Sequence, residues 1–317
     1  MNIDVLALEG VFDTGLSAVL DTFGTANELA QAQGLDGVAF NVRVVGVRRR
    51  VRTAMGMTVP VQSPDGARPD WVVVPALNTK QPERLLAALA RPDVGDARQL
   101  LQSLAGQGVP LAAACLGTFL VADAGLLDGH EATTTWPMAP LFRQRYPAVR
   151  LDESRMVVVS GPRVTAGAMM GHLDLALWLL RQTSPDLATL VARFMLIDER
   201  AAQADYIIPD FLAHADPLIS RFERWSRQRL SEGFSLQDAA SALNVHARTL
   251  QRRTEQVLGK SPLSFFQDLR IERAKQLVAQ GQTIEAIAGE VGYADASTLR
   301  TLMRRRLGRG VRALRSR

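Results

Sequence analysis

The stretch DAASALNVHARTLQRR at residues 238–253 decides the fold of the C-terminal part of this chain. Its pattern returns 48 residues later, from Ala240 to Ala288, within AIAGEVGYADASTLR at residues 286–300. Each copy predicts a short helix, a tight turn and a second, more basic helix. This order is typical of a helix-turn-helix, whose second helix enters the major groove of DNA.

The side chains at matching positions of the two copies have the same physical roles. A small residue allows two helices to cross closely, an apolar residue follows three positions later, and a turn residue tolerates positive φ. An apolar residue then closes the turn. The pairs, in that order, are Ala240 and Ala288, Leu243 and Val291, Asn244 and Gly292, and Val245 and Tyr293. One such match arises easily by accident, whereas two copies indicate a real repeat.

With these motifs in view, residues 222–317 resemble the DNA-binding domain of the AraC/XylS family of transcription regulators. The linking segment GKSP at 259–262, the segment LRIERA at 269–274, VGY at 291–293 and RRRLG at 304–308 are also similar to that family. The resemblance implies an all-α domain with two helix-turn-helix motifs that binds double-stranded DNA. Leu299, Met303 and Thr254 stand where aromatic residues are usual, and His246 replaces the usual N-cap serine.

Length and charge divide the chain into two predicted domains. A length of 317 residues suggests about two domains, and Asp216-Pro217 favours a boundary at about 205–219. We therefore predict domains at 1–210 and 218–317. Residues 222–317 hold 18 Lys and Arg and 9 Asp and Glu, a net charge of +9, whereas 1–221 has a net charge of −4. A basic domain on an acidic body is typical of a nucleic-acid-binding protein, although a solvated basic face is the alternative.

Other features of the composition exclude several classes of protein. No apolar run reaches the ~20 residues of a membrane helix, and the N-terminus has no basic region typical of a signal peptide. The single cysteine permits no internal disulfide. We therefore expect a cytoplasmic protein with no membrane contact.

The N-terminal part predicts strands that alternate with helices. This alternation indicates an α/β fold with a doubly wound, flavodoxin-like sheet. The continuous apolar run WVVV at 71–74 suits a parallel strand covered on both faces. Strands are predicted at 3–8, 40–45, 71–75, 110–114 and 156–159, and helices at 16–32, 81–90, 94–106, 169–182 and 185–199, with a last helix at 191–203.

The segment AAACLGTFL at 112–120 is the chemically informative part of this domain. A strand ends at Cys115 and a helix begins at once, so a sharp turn presents this side chain at the carboxyl edge of the sheet. The helix N-terminus there favours a thiolate. The alternative is a buried cysteine that packs as a small apolar residue.

Together with its flanking motifs, this region resembles the class I glutamine amidotransferase-like superfamily, which includes intracellular-protease-like members. The matching segments are LDTF at 20–23, ANEL at 26–29, CLGT at 115–118, AGLLDG at 124–129, ATTTW at 132–136, VTAG at 164–167 and LDLAL at 173–177. The resemblance covers most of residues 3–182. A domain of this kind ahead of an AraC-type domain is a known arrangement among those regulators.

Departures from the superfamily pattern argue against catalysis. Its enzymes carry a histidine that deprotonates the cysteine, either directly after it or in a motif twenty residues on, where this chain has Leu116 and Thr135. His172 is the one plausible substitute. The Gly-Gly pair that supplies oxyanion donors is replaced by ALN at 76–78. We therefore predict no enzymatic activity, no cofactor and no metal.

The strand-to-helix turn at Cys115, called the elbow below, has no histidine in the expected positions to deprotonate the cysteine. This suggests a domain that senses a small-molecule effector. Its predicted pocket residues are Asp13, Asn78, Cys115, Leu116, Thr135, Trp136 and Met169.

The DNA-binding prediction rests on outward-facing polar side chains of the two second helices. Arg and Gln suit the edges of guanine and adenine, and arginines at a helix end suit phosphate. The predicted contacts are Arg248, Gln251, Arg252, Ser297, Thr298, Arg300, Thr301, Arg304 and Arg305.

The combined prediction is a one-component, sequence-specific transcription regulator that acts as a homodimer. Activation and repression both stay open, with activation the form expected. The alternatives are an active cysteine hydrolase with a DNA-binding tail, and a helix-turn-helix pair that binds protein.

Overall fold

A computed structural model describes residues 1–35, 37–64, 66, 68–198, 200, 202–203, 206–208 and 216–307, and the side chains of 305–307 are left aside. The backbone forms two compact units. The first comprises residues 1–138 and 146–203, and the second comprises residues 139–145 and 204–317. No helix within the described ranges is long and apolar enough to cross a bilayer.

The first unit is built on a six-stranded sheet. The strands of this sheet are β1 (Asn2–Leu6), β2 (Asn41–Val45), β5 (Trp71–Val74), β6 (Leu111–Ala114), β9 (Val157–Ser160) and β10 (Arg163–Ala166). Their spatial order is β2-β1-β5-β6-β10-β9, and every neighbouring pair is parallel except β10 and β9 at one edge. Two small sheets pair β3 (Arg50–Arg52) with β4 (Thr58–Pro60), and β7 (Glu131–Ala132) with β8 (Arg150–Leu151).

Helices cover both faces of the large sheet. The helices of this unit are α1 (Asp13–Ala32), α2 (Pro82–Leu89), α3 (Pro92–Gly106), α4 (Gly117–Asp123), α6 (Gly171–Thr183) and α7 (Pro185–Phe194). On one face, buried residues of α1, α6 and α7 pack on alternate strand residues such as Val73 and Ala112. On the other face, α4 contacts β5 and β6 and packs against α3. The doubly wound α/β fold is therefore confirmed.

The helices predicted near the end of this unit differ from those in the structure. Helix α7 ends at Phe194, so the helix predicted at 185–199 is shorter and the one at 191–203 does not form. The described residues of 195–203 instead lie along the first unit through long-range polar contacts. Helical periodicity could not reveal these contacts, because they join residues far apart in sequence.

The second unit is helical. It contains α5 (Ala139–Arg145), α8 (Pro217–Arg227), α9 (Leu236–Ala242), α10 (Ala247–Leu258), α11 (Pro262–Ala279), α12 (Ile284–Glu290) and α13 (Ala296–Leu307). The first helices of both motifs have matching N-caps, since the hydroxyls of Ser235 and Thr283 accept from the backbone N–H three residues on. These caps also lie 48 residues apart. His246, which stands in place of the usual N-cap serine, makes no capping hydrogen bond with its side chain at the start of α10.

The bend between β6 and α4 depends on close backbone packing at Gly117. A Cβ at this position would lie 2.1 Å from the carbonyl oxygen of Val74 and 2.8 Å from that of Pro75. Only glycine lets α4 start this near the end of β5.

We expect Gly117→Ala to lower the free energy of unfolding by about 1–3 kcal/mol, because the two carbonyls belong to a central strand and its end and cannot easily move. Gly24→Ala is the matched control, since a Cβ there meets nothing within 4 Å. Gly24 lies inside α1, so its replacement should raise the free energy of unfolding by about 0.5–1 kcal/mol. Thermal and urea unfolding of the full chain measures both changes. Equal effects of the two substitutions would contradict this account of the bend.

Candidate functional site

The elbow at Cys115 has the strained geometry that the sequence predicts. Cys115 has a φ of 53°, in the left-handed region that non-glycine residues seldom occupy. Its N–H donates to the Ala166 carbonyl at 2.8 Å, and its carbonyl accepts from the Thr134 hydroxyl at 2.7 Å. The backbone around the cysteine is therefore fixed from both neighbouring segments.

Of the two interpretations of Cys115 that the sequence left open, the structure favours the buried cysteine. The residue is 5% exposed. Burial raises the pKa of the Cys115 thiol to about 11, and hydrogen bonds with the Leu116 backbone and the Thr135 side chain oppose only part of that rise. The short α4, with Gly117 packed on β5, does not offset the loss of hydration. The thiol is therefore protonated at neutral pH.

His172 is a structural residue. It is fully buried, its Nδ1 donates to the Met169 carbonyl at 2.9 Å, and its Nε2 accepts from the Ala76 N–H at 3.1 Å. Burial lowers the pKa of His172 to about 4, so the ring is neutral. Both ring nitrogens are occupied, and one of them engages a backbone donor that an oxyanion would need.

Several loops that carry the predicted pocket residues meet at this edge of the sheet. The Asn78 N–H donates to Gly10, and the Phe12 N–H donates to Ala76, so the loop before Asp13 lies beside the loop of Asn78. The Asp13 Oδ2 accepts from the Met55 N–H at 3.1 Å, whereas its Oδ1 is buried with no hydrogen-bond partner. Asn78, Thr135 and Trp136 are half-buried, and Met169 is 38% exposed.

A cleft of about 420 Å³ lies at the end of β1 in the same unit. Its polar lining comes from Glu9, Arg48, Arg50, Arg91 and Asp93. None of the predicted pocket residues lines it. Sequence patterns could not reveal this cleft, because its lining comes from three segments that are far apart in the sequence.

The first helix-turn-helix has the predicted turn and core. Asn244 takes a φ of 57°, and Ala240 is buried where α9 meets α10. Leu250, Thr254, Val257 and Leu258 form the buried face of α10.

The polar face of α10 carries the predicted arginines. Arg248 and Arg252 are exposed, and neither has an ion-pair partner within the part of the chain that the structure describes. Gln251 is half-buried and donates to Glu255. Two unpaired guanidinium groups one turn apart are therefore available on this helix.

In the second motif, several predicted side chains already have partners. Gly292 has a φ of 77°, and Leu299 and Met303 are fully buried. Asp295 accepts from the hydroxyls of Ser297 and Thr298 and from the Thr298 N–H, and these hydrogen bonds lower the pKa of Asp295 to about 2.

The other predicted residues of α13 differ in their partners. Arg300 pairs with Glu285 at 2.7 Å, and Thr301 and Arg304 are exposed. The side chain of Arg305 lies outside the described part of the structure.

Comparison with known proteins agrees with this architecture. The family described as "Helix-turn-helix domain" matches residues 239–317. The regulator GbdR of Pseudomonas aeruginosa is 26% identical over 198 residues, which cover 61% of this chain and 54% of that protein. GlxA of Rhizobium meliloti is 23% identical and covers 64% of both chains. The chain thus spans about half the length of the first of these curated relatives.

Residues 239–317 match an AraC-type helix-turn-helix domain. The resemblance drawn from the motifs of this domain is thereby confirmed.

The first unit is similar in fold to a ThiJ/PfpI family protein from Pseudomonas syringae, with a TM-score of 0.51 and 18% identity over 63% of this chain and 76% of that one. A Vibrio parahaemolyticus structure described as a candidate transcriptional regulator gives a TM-score of 0.51 and 21% identity over 61% of this chain and 98% of that one. At these identities the likeness supports the fold alone.

Sequence reasoning missed Arg270, which ties the AraC-type domain together. Its side chain is buried, its Nε donates to the Leu230 carbonyl at 2.9 Å, and its Nη2 donates to the Glu232 carbonyl. The guanidinium lies 4.8 Å from the ring centre of Phe266 and 5.0 Å from that of Tyr293. As an arginine in a basic domain it has no mark in the sequence that separates it from a DNA contact.

Sequence reasoning also missed Gln203. Its side chain is fully buried, and the two N–H groups of its Nε2 are shared among three acceptors, namely the Thr133 hydroxyl and the carbonyls of Thr134 and Arg155. The residue lies beyond the last helix of the first unit, where no periodic pattern marks buried positions.

We expect Cys115 to react with iodoacetamide far more slowly in the native chain than in the urea-unfolded chain. The native rate should rise about tenfold per pH unit from pH 7 to pH 10, because the thiolate is the reactive form and its pKa is about 11. Since Cys115 is the one cysteine of the chain, mass spectrometry reports this site directly. A native rate that levels off near pH 7 would show an activated thiolate.

Proposed function

We propose that this protein is a sequence-specific, DNA-binding transcription regulator controlled by a small-molecule effector bound in its first unit. The observation that carries the DNA-binding part is the pair of unpaired, exposed arginines on α10 of a helix-turn-helix. Arg248 and Arg252 lie opposite the buried face of Leu250 and Thr254. On such a helix, guanidinium groups can reach guanine edges in the major groove.

The two motifs contribute differently in this proposal. Arg248, Gln251 and Arg252 would read bases, since the two arginines need break no ion pair. In α13, Arg300 would first have to leave Glu285, and the hydroxyls of Ser297 and Thr298 already donate to Asp295. Thr301, Arg304 and Arg305 would therefore serve the DNA backbone, and the positive charge of this part of the chain favours DNA over a protein partner.

Replacing Arg252 by Ala should weaken binding to a duplex selected from a random pool by about 5- to 150-fold, the equivalent of roughly 1–3 kcal/mol. Binding to a scrambled duplex should fall much less. Arg221→Ala, which removes an exposed arginine of α8, is the matched control and should leave the selected duplex nearly as tightly bound. Fluorescence anisotropy at several salt concentrations separates the two roles. An equal loss on both duplexes would mean that Arg252 contacts only phosphate.

The effector part of the proposal places the ligand at the elbow, against Asp13, Asn78, Cys115, Leu116, Thr135, Trp136 and Met169. The unpartnered, buried Oδ1 of Asp13 supports it, because a ligand with an N–H or O–H donor would satisfy this oxygen. The protonated thiol and the neutral His172 favour binding over turnover. We therefore propose that this domain does not catalyse hydrolysis, and that Cys115→Ala removes no activity.

A metabolite that binds the elbow should raise the melting temperature of the full chain, because it stabilises only the folded state. Asp13→Asn should reduce that rise at a fixed ligand concentration. Asp21→Asn, an exposed position on the same helix, is the control and should not. A ligand whose effect is lost instead in Arg50→Ala would occupy the cleft at the end of β1.

We further propose that the protein works as a homodimer in the cytoplasm. A symmetric dimer would present its AraC-type domains to two half-sites of the DNA.

A further inference from the structure

The segment that follows α7 is fastened to the first unit at three points. The guanidinium of Arg200 contacts Asp174 at 2.5 Å and the Met170 carbonyl at 3.1 Å. Ala202 forms an isolated antiparallel bridge with Arg155. The Gln203 N–H donates to the Ser154 carbonyl at 2.8 Å.

The side chain of Gln203 fills a socket that is shaped for it. Its Nε2 lies 3.0 Å from the Thr133 hydroxyl, 2.9 Å from the Thr134 carbonyl and 3.1 Å from the Arg155 carbonyl. A Cβ on Gly167 would lie 1.8 Å from this Nε2, so only glycine at 167 leaves room for the amide. The amide and the absence of a side chain at Gly167 are therefore matched features of one site.

The socket is also the wall of the elbow. Thr134, whose carbonyl holds Gln203, donates its hydroxyl to the Cys115 carbonyl. The Thr135 side chain bonds the Cys115 thiol. Ala166, directly before Gly167, accepts from the Cys115 N–H. Cys115 is therefore connected to Gln203 by two hydrogen bonds, one on each side of Thr134. A shift of Cys115 or of the loop at Thr134 would displace Gln203.

The inserted state of Gln203 is incompletely satisfied. Its Oε1 is buried and has no hydrogen-bond partner among the described residues. An unsatisfied buried oxygen costs free energy that hydration would recover. The unsatisfied Oε1 therefore lowers the free energy needed to release the Gln203 amide from the socket.

We propose that Arg200 and Gln203 form a latch, which ties the start of the segment leading to the AraC-type domain to the wall of the elbow. This inference rests on the proposed effector site. An effector at the elbow would change the occupancy of the latch, and so the attachment of the chain at Arg200 and Gln203. The coupling is reciprocal, because each site then changes the equilibrium of the other.

The latch can be tested without knowledge of the effector or of the DNA sequence. Gln203→Glu keeps the shape of the side chain but turns a carboxylate toward the carbonyls of Thr134 and Arg155. Trypsin cleaves after Arg200, and this cleavage should become about tenfold faster when the segment is released. Alkylation of Cys115 by iodoacetamide should accelerate by a similar factor, because the elbow wall loses its support.

Gln99→Glu, the same change on the exposed face of α3, is the matched control and should alter neither rate. Asp174→Asn is a second variant for the case that Gln203→Glu does not fold. It removes the carboxylate that holds Arg200 and leaves the tryptic site intact. Mass spectrometry of the full chain follows both reactions.

Faster cleavage together with faster alkylation supports the latch. Faster cleavage with unchanged alkylation would overturn it, since the segment would then be fastened but not coupled to the elbow. Unchanged rates in both variants would also overturn it. Neither reaction involves DNA. The latch can therefore fail while binding to the selected duplex persists, and the latch can hold while that binding is absent.

Discussion

The AraC-type domain depends on one buried positive charge. The guanidinium of Arg270 is removed from water, so its donors must find acceptors within the protein. They find the carbonyls of Leu230 and Glu232 after α8, while the planar guanidinium lies over the rings of Phe266 and Tyr293. The same group thereby joins the end of the first helix of the domain, the long central helix and the turn of the second motif. Gly292 completes this arrangement, because a Cβ there would lie 2.4 Å from the Arg270 Nη2. Glycine at this turn is thus required by contact as well as by its positive φ.

The first unit holds its one cysteine on a strained, closely packed turn whose neighbouring polar groups are already paired. The strained backbone at Cys115 and the close approach at Gly117 are both present. The groups that would make the cysteine a nucleophile have other partners. Ala76 gives its N–H to His172, and His172 uses its second nitrogen to fix the turn at Met169. These pairings hold the histidine ring and the Ala76 backbone in place, and they support the proposed role of this edge in binding rather than in proton transfer.

Sequence patterns predicted the features that depend on neighbouring residues alone, namely strands and tight turns. The run at Trp71–Val74 indicated a strand covered on both faces, and Asn244 and Gly292 marked the turns, because positive φ restricts the choice of residue. The failures concern long-range contacts. The sequence left open whether Cys115 is a thiolate or a buried apolar residue, because the degree of burial follows from packing by distant segments. The predicted helix after Phe194 was wrong because Arg200 and Gln203 pair with residues far away in the sequence, on α6 and on the loop after β7. The partners of Arg270 and Arg300 likewise follow from helix packing, so a basic residue count could not separate structural arginines from free ones.

The burial of the one cysteine also bears on oxidative stress. Peroxides attack thiolates, and the susceptibility of a cysteine follows its thiolate content and its accessibility. With a pKa of about 11, only about one Cys115 in ten thousand is ionised at pH 7. The side chain is also shielded from solvent, and no second cysteine exists to form a disulfide with a sulfenic acid. In the regulator that we propose, this turn would therefore not convert an oxidising change in the cell into a transcriptional signal.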